Sequence, residues 1–267
     1  MKVGIIGYGH LGQFLKNELD KDSNFEVVKI WNRTADEKNG IFPLNSLTKE
    51  NLRGIDLIIE VAHPYITKEY AEVILKETNL FIGSPTVLAD PEVEKSVGEL
   101  SNKYNRCVFV PTGALWAAED ISKMGELGQL KSLTISMIKH PSSFKVEGEL
   151  KQICDEALKT NTLKILYSGS VRGLCPLAPN NVNTMAGAAI AAKNLGFDNV
   201  KAQLIADPNM PNFHIVEVEA VGEDGFCVKI RRENPAKPGA VTGNATFFSF
   251  LASIRRCMYK PPGIHIC

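Results

Sequence analysis

The chain has 267 residues, of which 44% are apolar and 22% charged, and its 30 basic side chains balance 30 acidic ones. This composition excludes a disordered polymer and provides no net charge that would attract nucleic acid or an acidic membrane. No apolar run approaches the ~20 residues that span a bilayer, and six scattered cysteines form neither a zinc pattern nor a disulfide frame. We therefore expect a cytoplasmic globular protein with reduced thiols and without a nucleic-acid, membrane or metal partner.

Apolar runs typical of buried strands alternate with helical patterns along the first half of the chain. The predicted strands lie at 2–6, 25–31, 55–62, 79–86 and 106–114, and the predicted helices at 11–21, 66–77 and 90–103. This alternation indicates an α/β fold with a Rossmann-type, doubly wound parallel sheet. We assign residues 1–113 to a dinucleotide-binding domain.

The second half has a different pattern. Residues 130–139, 164–171, 213–221 and 226–232 alternate like half-exposed strands, and an alanine-rich helix is predicted at 183–197. Residues 114–241 are therefore predicted to form a second, α+β domain that contributes substrate-binding and catalytic groups. The terminal segment, residues 242–267, is predicted to be a helix that packs back on the first domain, because four apolar side chains share one face: Phe247, Phe250, Leu251 and Ile254.

A glycine-rich loop follows the first predicted strand directly and opens an amphipathic helix. It contains Gly7, Gly9 and Gly12 in the spacing GxGxxG, with His10 and Leu11 between the last two glycines. In this context the first glycine allows a tight turn, the second lets a pyrophosphate approach the backbone, and the third allows close packing of helix on strand. The loop predicts a dinucleotide site at the N-terminus of the helix.

The end of the second strand bears on the choice of dinucleotide. An NAD site usually has an acidic residue there for the ribose hydroxyls, but this chain has Asn32, Arg33 and Thr34. Arg33 would pair with a 2′-phosphate, so we expect NADP to be preferred, with NAD as the other cofactor. In the alternative interpretation Arg33 points to solvent and Asp36 or Glu37 reaches the ribose.

Other candidate site residues follow strand ends, where ligands bind in such sheets. Ala62 and His63 follow the strand 55–62, and the turn Pro111–Leu115 follows the strand 106–114. A loop rich in Pro and Asn precedes the alanine-rich helix. Asn181 or Asn183 would either cap this helix or hold the nicotinamide carboxamide or a substrate carboxylate.

Hydride transfer also requires a proton donor or acceptor, which we expect the second domain to supply. From position alone, His63, His140 and His214 are equivalent candidates for this group.

The sequence resembles the L-aspartate dehydrogenase family nearly from end to end. The motifs that carry the resemblance are GYGHLG, PTGAL, PNNVNTMAGAA and NFHIVEVEA. Four further stretches, GALWAAEDI, VRGLCPLAP, RRENPAKPGAVTG and PGIHIC, resemble the animal branch of that family. The resemblance implies NAD(P)-dependent oxidative deamination of L-aspartate to iminosuccinate, which hydrolyses to oxaloacetate and ammonia, or the reverse reductive amination.

The resemblance also implies roles for individual residues. The catalytic histidine of the family matches His214, and its cofactor contacts match Ala114 and either Asn181 or Asn183. A homodimer is expected from the same resemblance. The two carboxylates of aspartate need cationic or N–H partners, for which Lys139, His140 and Arg172 are the candidates.

One departure from the family pattern bears on the substrate. Microbial members tend to carry a Gly-Gly-rich stretch where this chain has Leu115-Trp116-Ala117-Ala118, and a tryptophan there would reshape the substrate pocket. Two alternatives to aspartate oxidation therefore stay open: an NADP-dependent reductase of another small imine or oxo acid, and a non-catalytic dinucleotide-binding protein.

Overall fold

Two sheets, one in each of two structural units, organise the chain. The computed structural model describes residues 1–241, 243–257 and 260–267. Unit 1 comprises Met1–Pro111, Phe250–His265 and Cys267, and unit 2 comprises Thr112–Ser249 and Ile266. In the part of the chain that is described, no helix has the length and apolar character needed to cross a membrane.

Unit 1 alternates strands with helices up to residue 110. Its elements are β1 (Lys2–Ile6), α1 (His10–Leu19), β2 (Glu26–Asn32), β3 (Ile41–Pro43), α2 (Lys49–Leu52), β4 (Leu57–Glu60), α3 (Pro64–Glu77), β5 (Asn79–Ile82), α4 (Pro91–Tyr104) and β6 (Cys107–Val110). Strands β4 and β6 are buried along their whole length, as expected for parallel strands covered on both faces.

Unit 2 follows with helices and longer strands. Its elements are α5 (Ala118–Glu126), β7 (Leu130–Lys139), α6 (Gly148–Thr160), β8 (Lys164–Ser170), α7 (Val171–Leu174), α8 (Asn183–Ala191), α9 (Gly196–Asn199), β9 (Lys201–Ala206), β10 (Phe213–Gly222) and β11 (Cys227–Pro235). The chain then forms α10 (Asn244–Arg255) and β12 (Gly263–Ile266).

The strand orders confirm the predicted fold class. The seven-stranded sheet runs β12-β6-β5-β4-β1-β2-β3, and the pairings of β1 through β6 are all parallel. The carboxyl ends of β1, β2 and β4 therefore lie at one edge of this sheet. The second sheet is mixed and runs β11-β10-β7-β9-β8, with only β7 and β9 parallel among its pairs.

The end of the chain differs from the prediction of one helix over 242–267. Helix α10 ends at Arg255, and β12 forms further along the chain. Pro261 and Pro262 exclude one continuous helix as far as residue 267, because proline breaks a helix interior. Phe250, Leu251 and Ile254 of α10 are buried in the core of unit 1. Thr242, Met258 and Tyr259 of the predicted helix lie outside the described residues. The alanine-rich helix is likewise shorter than predicted, since α8 ends at Ala191.

The mixed sheet has one well-buried face. On β7 this face carries Leu133, Ile135, Met137 and Lys139, and on β10 it carries His214, Val216, Val218 and Ala220. Successive side chains of a strand point to opposite faces of the sheet. The alternation of apolar and polar residues in the sequence therefore places the apolar residues on the buried face. Lys139 and His214 are the two ionisable residues among these eight, and each lies at or next to the end of its strand.

Candidate functional site

The glycine loop of unit 1 brings helix α1 close to strand β1. A Cβ atom on Gly12 would lie 2.1 Å from the carbonyl oxygen of Gly7, and one on Gly7 would lie 2.9 Å from the backbone of Ala62. Gly7 also has φ of +105°, which disfavours other residues. A Cβ on Gly9 would meet no atom within 4 Å. Two glycines therefore serve packing, and the third leaves open space above the backbone, as a pyrophosphate requires.

The N-terminus of α1 is suited to an anion. Gly9 is its N-cap residue and supplies no side-chain hydrogen bond, and no acidic residue occupies the first turn. Gly9 and His10 are exposed, whereas Leu11 packs against the core of unit 1. The first N–H groups of the helix and its dipole therefore face an open surface that would accommodate the phosphates of a dinucleotide.

The end of β2 carries the three residues predicted to bear on the choice of dinucleotide, Asn32, Arg33 and Thr34. The side chain of Asn32 accepts a 3.4 Å hydrogen bond from Tyr8 N and donates one of 3.2 Å to Thr34 O. Arg33 and Thr34 are exposed, and Arg33 forms no ion pair within the described ranges. The carboxylate of Asp36 accepts a 2.6 Å bond from the Asn39 side chain, which disfavours its alternative role on the ribose.

A buried carboxyl group that the sequence analysis missed holds the next two loops. Glu60 ends β4 and is fully buried, and its oxygens accept hydrogen bonds from Ala62 N (2.7 Å), His63 N (2.9 Å), Ser84 N (3.0 Å) and Ser84 Oγ (3.2 Å). Burial raises the pKa of this carboxyl to about 7, against the effect of those hydrogen bonds. The signal in the sequence was an acidic residue inside an otherwise apolar strand.

His63 lies at the same edge but has a local function. Its Nδ1 accepts a 3.2 Å hydrogen bond from Tyr65 N and so caps helix α3. Ala62 and His63 are exposed, so both remain predicted cofactor contacts.

In unit 2, the strand register brings His214 between two polar neighbours. His214 pairs with Asn234 of β11. On its other side Ile215 pairs with Ile138 of β7, and continuing this register places Lys139 opposite His214. The Asn234 side chain donates a 3.2 Å hydrogen bond to the His214 carbonyl oxygen. Because residues that pair across strands share a face, the three side chains form one row.

Burial favours the neutral form of the His214 ring, and one ring nitrogen has no partner among the described residues. It is 6% exposed, and burial, followed by the charge of Lys139, lowers its pKa to about 4, while the Ala240 carbonyl opposes this change. Nε2 is buried and has no hydrogen-bond partner in the described part of the chain, so Nδ1 is the nitrogen that faces the carbonyl. The unprotonated Nε2 of a neutral imidazole can accept a hydrogen bond or a proton, which is the property that the predicted acid–base role requires.

Lys139 is a buried cation without an acidic partner among the residues described. It is 3% exposed, its Nζ donates a 3.1 Å hydrogen bond to Val241 O, and Nζ lies 5.7 Å from the centroid of the Phe144 ring. Burial lowers its pKa to about 8. An uncompensated buried charge is costly, which favours an anionic ligand near this amine.

The two candidate asparagines have different environments. Asn181 is buried and uses its amide to accept from Lys145 N (3.2 Å) and donate to Lys145 O (2.8 Å), which is a structural role. Asn183 begins α8, and its Oδ1 is buried with no partner within the described ranges. Of the pair, Asn183 is therefore the one with an acceptor available to a ligand.

The turn that carries Ala114 lies beside the start of α8. Leu115 N donates a 2.9 Å hydrogen bond to Thr112 O, and Ala114 is buried. A Cβ on Gly113 would lie 3.9 Å from Thr184 Oγ1, which places this turn beside the residue that follows Asn183 on α8.

Two predicted substrate residues have other functions in the structure. Arg172 donates from Nε and Nη2 to the Asp198 carboxylate at 2.7 and 2.9 Å and lies 5.4 Å from the Phe197 ring centroid. His140 uses Nδ1 in a local turn, 3.3 Å from Ser142 N and 2.7 Å from Ser142 Oγ. Because Arg172 and His140 already have partners, Lys139 is the most available of the three predicted substrate residues.

Comparisons with known proteins extend along the whole chain. The family model described as "Aspartate dehydrogenase, C-terminal" matches residues 120–253, and the model described as "Homoserine dehydrogenase, NAD binding domain" matches residues 3–111. A relative from Xenopus tropicalis, "Aspartate dehydrogenase domain-containing protein", is 45% identical over 100% of this chain and 98% of its own length.

More distant relatives come from Thermotoga maritima. The protein described as "L-aspartate dehydrogenase" is 30% identical over 97% of this chain and 98% of the relative. A crystal structure of aspartate dehydrogenase from the same organism has the same fold, with a TM-score of 0.72 and 23% identity over 97% of each chain.

The buried Glu60 predicts a pH effect on stability. Its folded pKa lies above its unfolded value, so the folded state retains the proton longer, and stability is lost as pH rises from about 4.5 through 7. We expect the free energy of unfolding of the wild type, relative to Glu60→Gln, to fall by roughly 3 kcal/mol at most across this window. Urea denaturation at several pH values measures this difference.

The exposed Glu26 offers a matched control on the same sheet. The difference between the wild type and Glu26→Gln is expected to change little from pH 5 to 8. An equally flat difference for Glu60→Gln would show that the Glu60 carboxyl is ionised throughout and that its pKa is not raised.

Proposed function

Since the chain belongs to the aspartate dehydrogenase family, we propose that it oxidatively deaminates L-aspartate with NADP in preference to NAD, or carries out the reverse reductive amination. Family and fold make it an oxidoreductase that uses a nicotinamide dinucleotide. The observation that carries the more specific proposal is the neutral His214, whose unpartnered Nε2 lies in one row with Lys139. A protein without catalysis would have no chemical need for a buried base in this position.

The residues of unit 1 would hold the cofactor. The open space at Gly9 and the uncapped N-terminus of α1 fit a pyrophosphate, and the end of β2 fits the adenosine ribose. The nicotinamide, when bound, supplies the hydride acceptor for oxidation and the hydride donor for reduction. Asn183 has the free acceptor that a carboxamide N–H₂ group would need.

The residues of unit 2 would bind and deprotonate the substrate. Lys139 would attract a substrate carboxylate, and His214 Nε2 would take a proton from the α-ammonium group. The nitrogen lone pair then forms the C=N bond of iminosuccinate as the hydride leaves Cα. Water adds to this bond and ammonia departs, which yields oxaloacetate; His214 would return its proton in the reverse direction.

A second candidate function is supported by Trp116. Its indole is 63% exposed and its ring centroid lies 5.8 Å from the guanidinium carbon of Arg232. A bulky ring beside Arg232 would reshape the substrate pocket and suit a different small imine or oxo acid, which would react by the same acid–base chemistry. Reduction assays with several oxo acids plus ammonium distinguish this candidate from aspartate.

The proposal also includes a homodimer, which sedimentation measurements would test.

His214→Ala tests the acid–base role. We expect the turnover number for L-aspartate to fall by ~10²–10⁴ because no other group would accept the amine proton. The dissociation constant for NADPH, measured by fluorescence titration, should change little. His140→Ala is the matched control, since that ring is used in a local turn; unchanged turnover in His214→Ala would remove His214 from the mechanism.

Arg33→Ala tests the cofactor preference. If Arg33 pairs with the 2′-phosphate, loss of one charge-assisted contact weakens NADPH by about 10-fold or more and leaves NADH nearly unchanged. Calorimetric titration with both cofactors measures the two affinities. Arg53→Ala provides a charge-matched control elsewhere in unit 1. Equal losses for NADPH and NADH in Arg33→Ala would contradict a 2′-phosphate site.

A further inference from the structure

A second cation lies on the same sheet face as His214 and Lys139. Arg232 of β11 pairs with Val216, two residues along β10 from the pair formed by His214 and Asn234. Side chains two residues apart on a strand share a face, so Arg232 is a diagonal neighbour of His214. Directly opposite residues in a sheet are about 5 Å apart at Cβ, and diagonal ones about 7–8 Å, which sets Lys139 nearer to the base than Arg232.

Most hydrogen-bond donors of the Arg232 guanidinium have no partner in the described part of the chain. It is half-buried, and its Nη1 donates a single long hydrogen bond of 3.4 Å to Gly113 O. A guanidinium has five N–H donors, and Arg232 forms no ion pair in the described part of the chain. Burial also lowers the pKa of this group, which is the direction expected for a cation that lacks a counter-charge.

The preceding residue, Arg231, differs from Arg232 because it is ion-paired. Arg231 faces the opposite side of β11, where its guanidinium forms ion pairs with Glu217 and Glu233. On that outer face acidic residues balance the basic ones. On the inner face, Lys139 and Arg232 have no acidic partner among the residues described, so the sheet supplies two positive charges and leaves both counter-charges to a ligand.

We propose that Arg232 determines specificity by binding the side-chain carboxylate of a dicarboxylic substrate, while Lys139 binds the α-carboxylate. This inference rests on the proposed function and names the residue that selects its substrate class. The α-carboxylate is one bond from the carbon that loses hydride, so it belongs to the cation nearest His214. The second carboxylate lies further along the substrate and belongs to the diagonal cation. The planar ring of Trp116 then supports the guanidinium from one side.

The test compares two non-reactive probes on the full-length protein. Succinate carries both carboxylates, and butyrate carries one on a chain of the same length. By calorimetry in the presence of NADP, the wild type should bind succinate about 10- to 100-fold more tightly than butyrate. In Arg232→Gln this preference should disappear because succinate affinity falls to that of butyrate, and in Lys139→Met both probes should weaken.

The control is Arg231→Gln, which removes a guanidinium from the outer face and should leave the preference for succinate unchanged. Thermal unfolding of each variant verifies that it is folded. The inference is overturned if the wild type shows no preference for succinate, if Arg232→Gln retains that preference, or if folded Arg232→Gln loses both probes equally. The last result would mean that Arg232 acts only by holding the turn at Gly113.

A kinetic comparison separates this inference from the proposed function. If L-aspartate is not oxidised but succinate binding still depends on Arg232, the dicarboxylate site stands and the proposed reaction fails. If L-aspartate is oxidised and Arg232→Gln leaves its KM unchanged, the reaction stands and the role of Arg232 fails.

Discussion

The chemistry available to unit 2 depends on the register of β10 with its two neighbours. His214, Val216 and Val218 share the buried face, and the antiparallel pairing with β7 and β11 sets Lys139 and Asn234 beside His214. A slip of one residue would turn the whole set to the other face, where Arg231, Glu217 and Glu233 already form ion pairs. The burial of the apolar residues on these strands therefore also fixes the positions of His214, Lys139 and Arg232.

In unit 1, packing and hydrogen bonds likewise hold the loops that follow the strands. Close packing between Gly12 and Gly7 brings α1 onto β1, and the four hydrogen bonds to the Glu60 carboxyl hold the loops after β4 and β5. All of these contacts lie within unit 1, at the edge of the sheet that carries the proposed cofactor site.

Much of this arrangement could be predicted from the sequence, because local patterns record burial and turns. The parallel sheet, the glycine loop and the resemblance to aspartate dehydrogenases are confirmed by the strand order and the family matches. Patterns do not record which face a side chain takes or which partner it finds. Arg231 and Arg232 are adjacent and chemically identical, and only the register separates a paired surface arginine from an unpaired inner one. Asn181 and Asn183 also cannot be distinguished by pattern, although one amide bonds to Lys145 and the other has a buried Oδ1 without a partner in the described part of the chain. The sequence likewise does not reveal that Arg172 pairs with Asp198. The apolar face of α10 predicts a helix but does not mark its end at Arg255.

Isotope transfer tests the proposal that this protein removes hydride from Cα of L-aspartate. The full-length protein would be incubated with NADP and L-aspartate deuterated at Cα, and the nucleotide analysed by mass spectrometry. We expect reduced nucleotide that carries one deuterium, formed together with ammonia and oxaloacetate. Bound NADP that remains oxidised and unlabelled in the presence of saturating L-aspartate would contradict it.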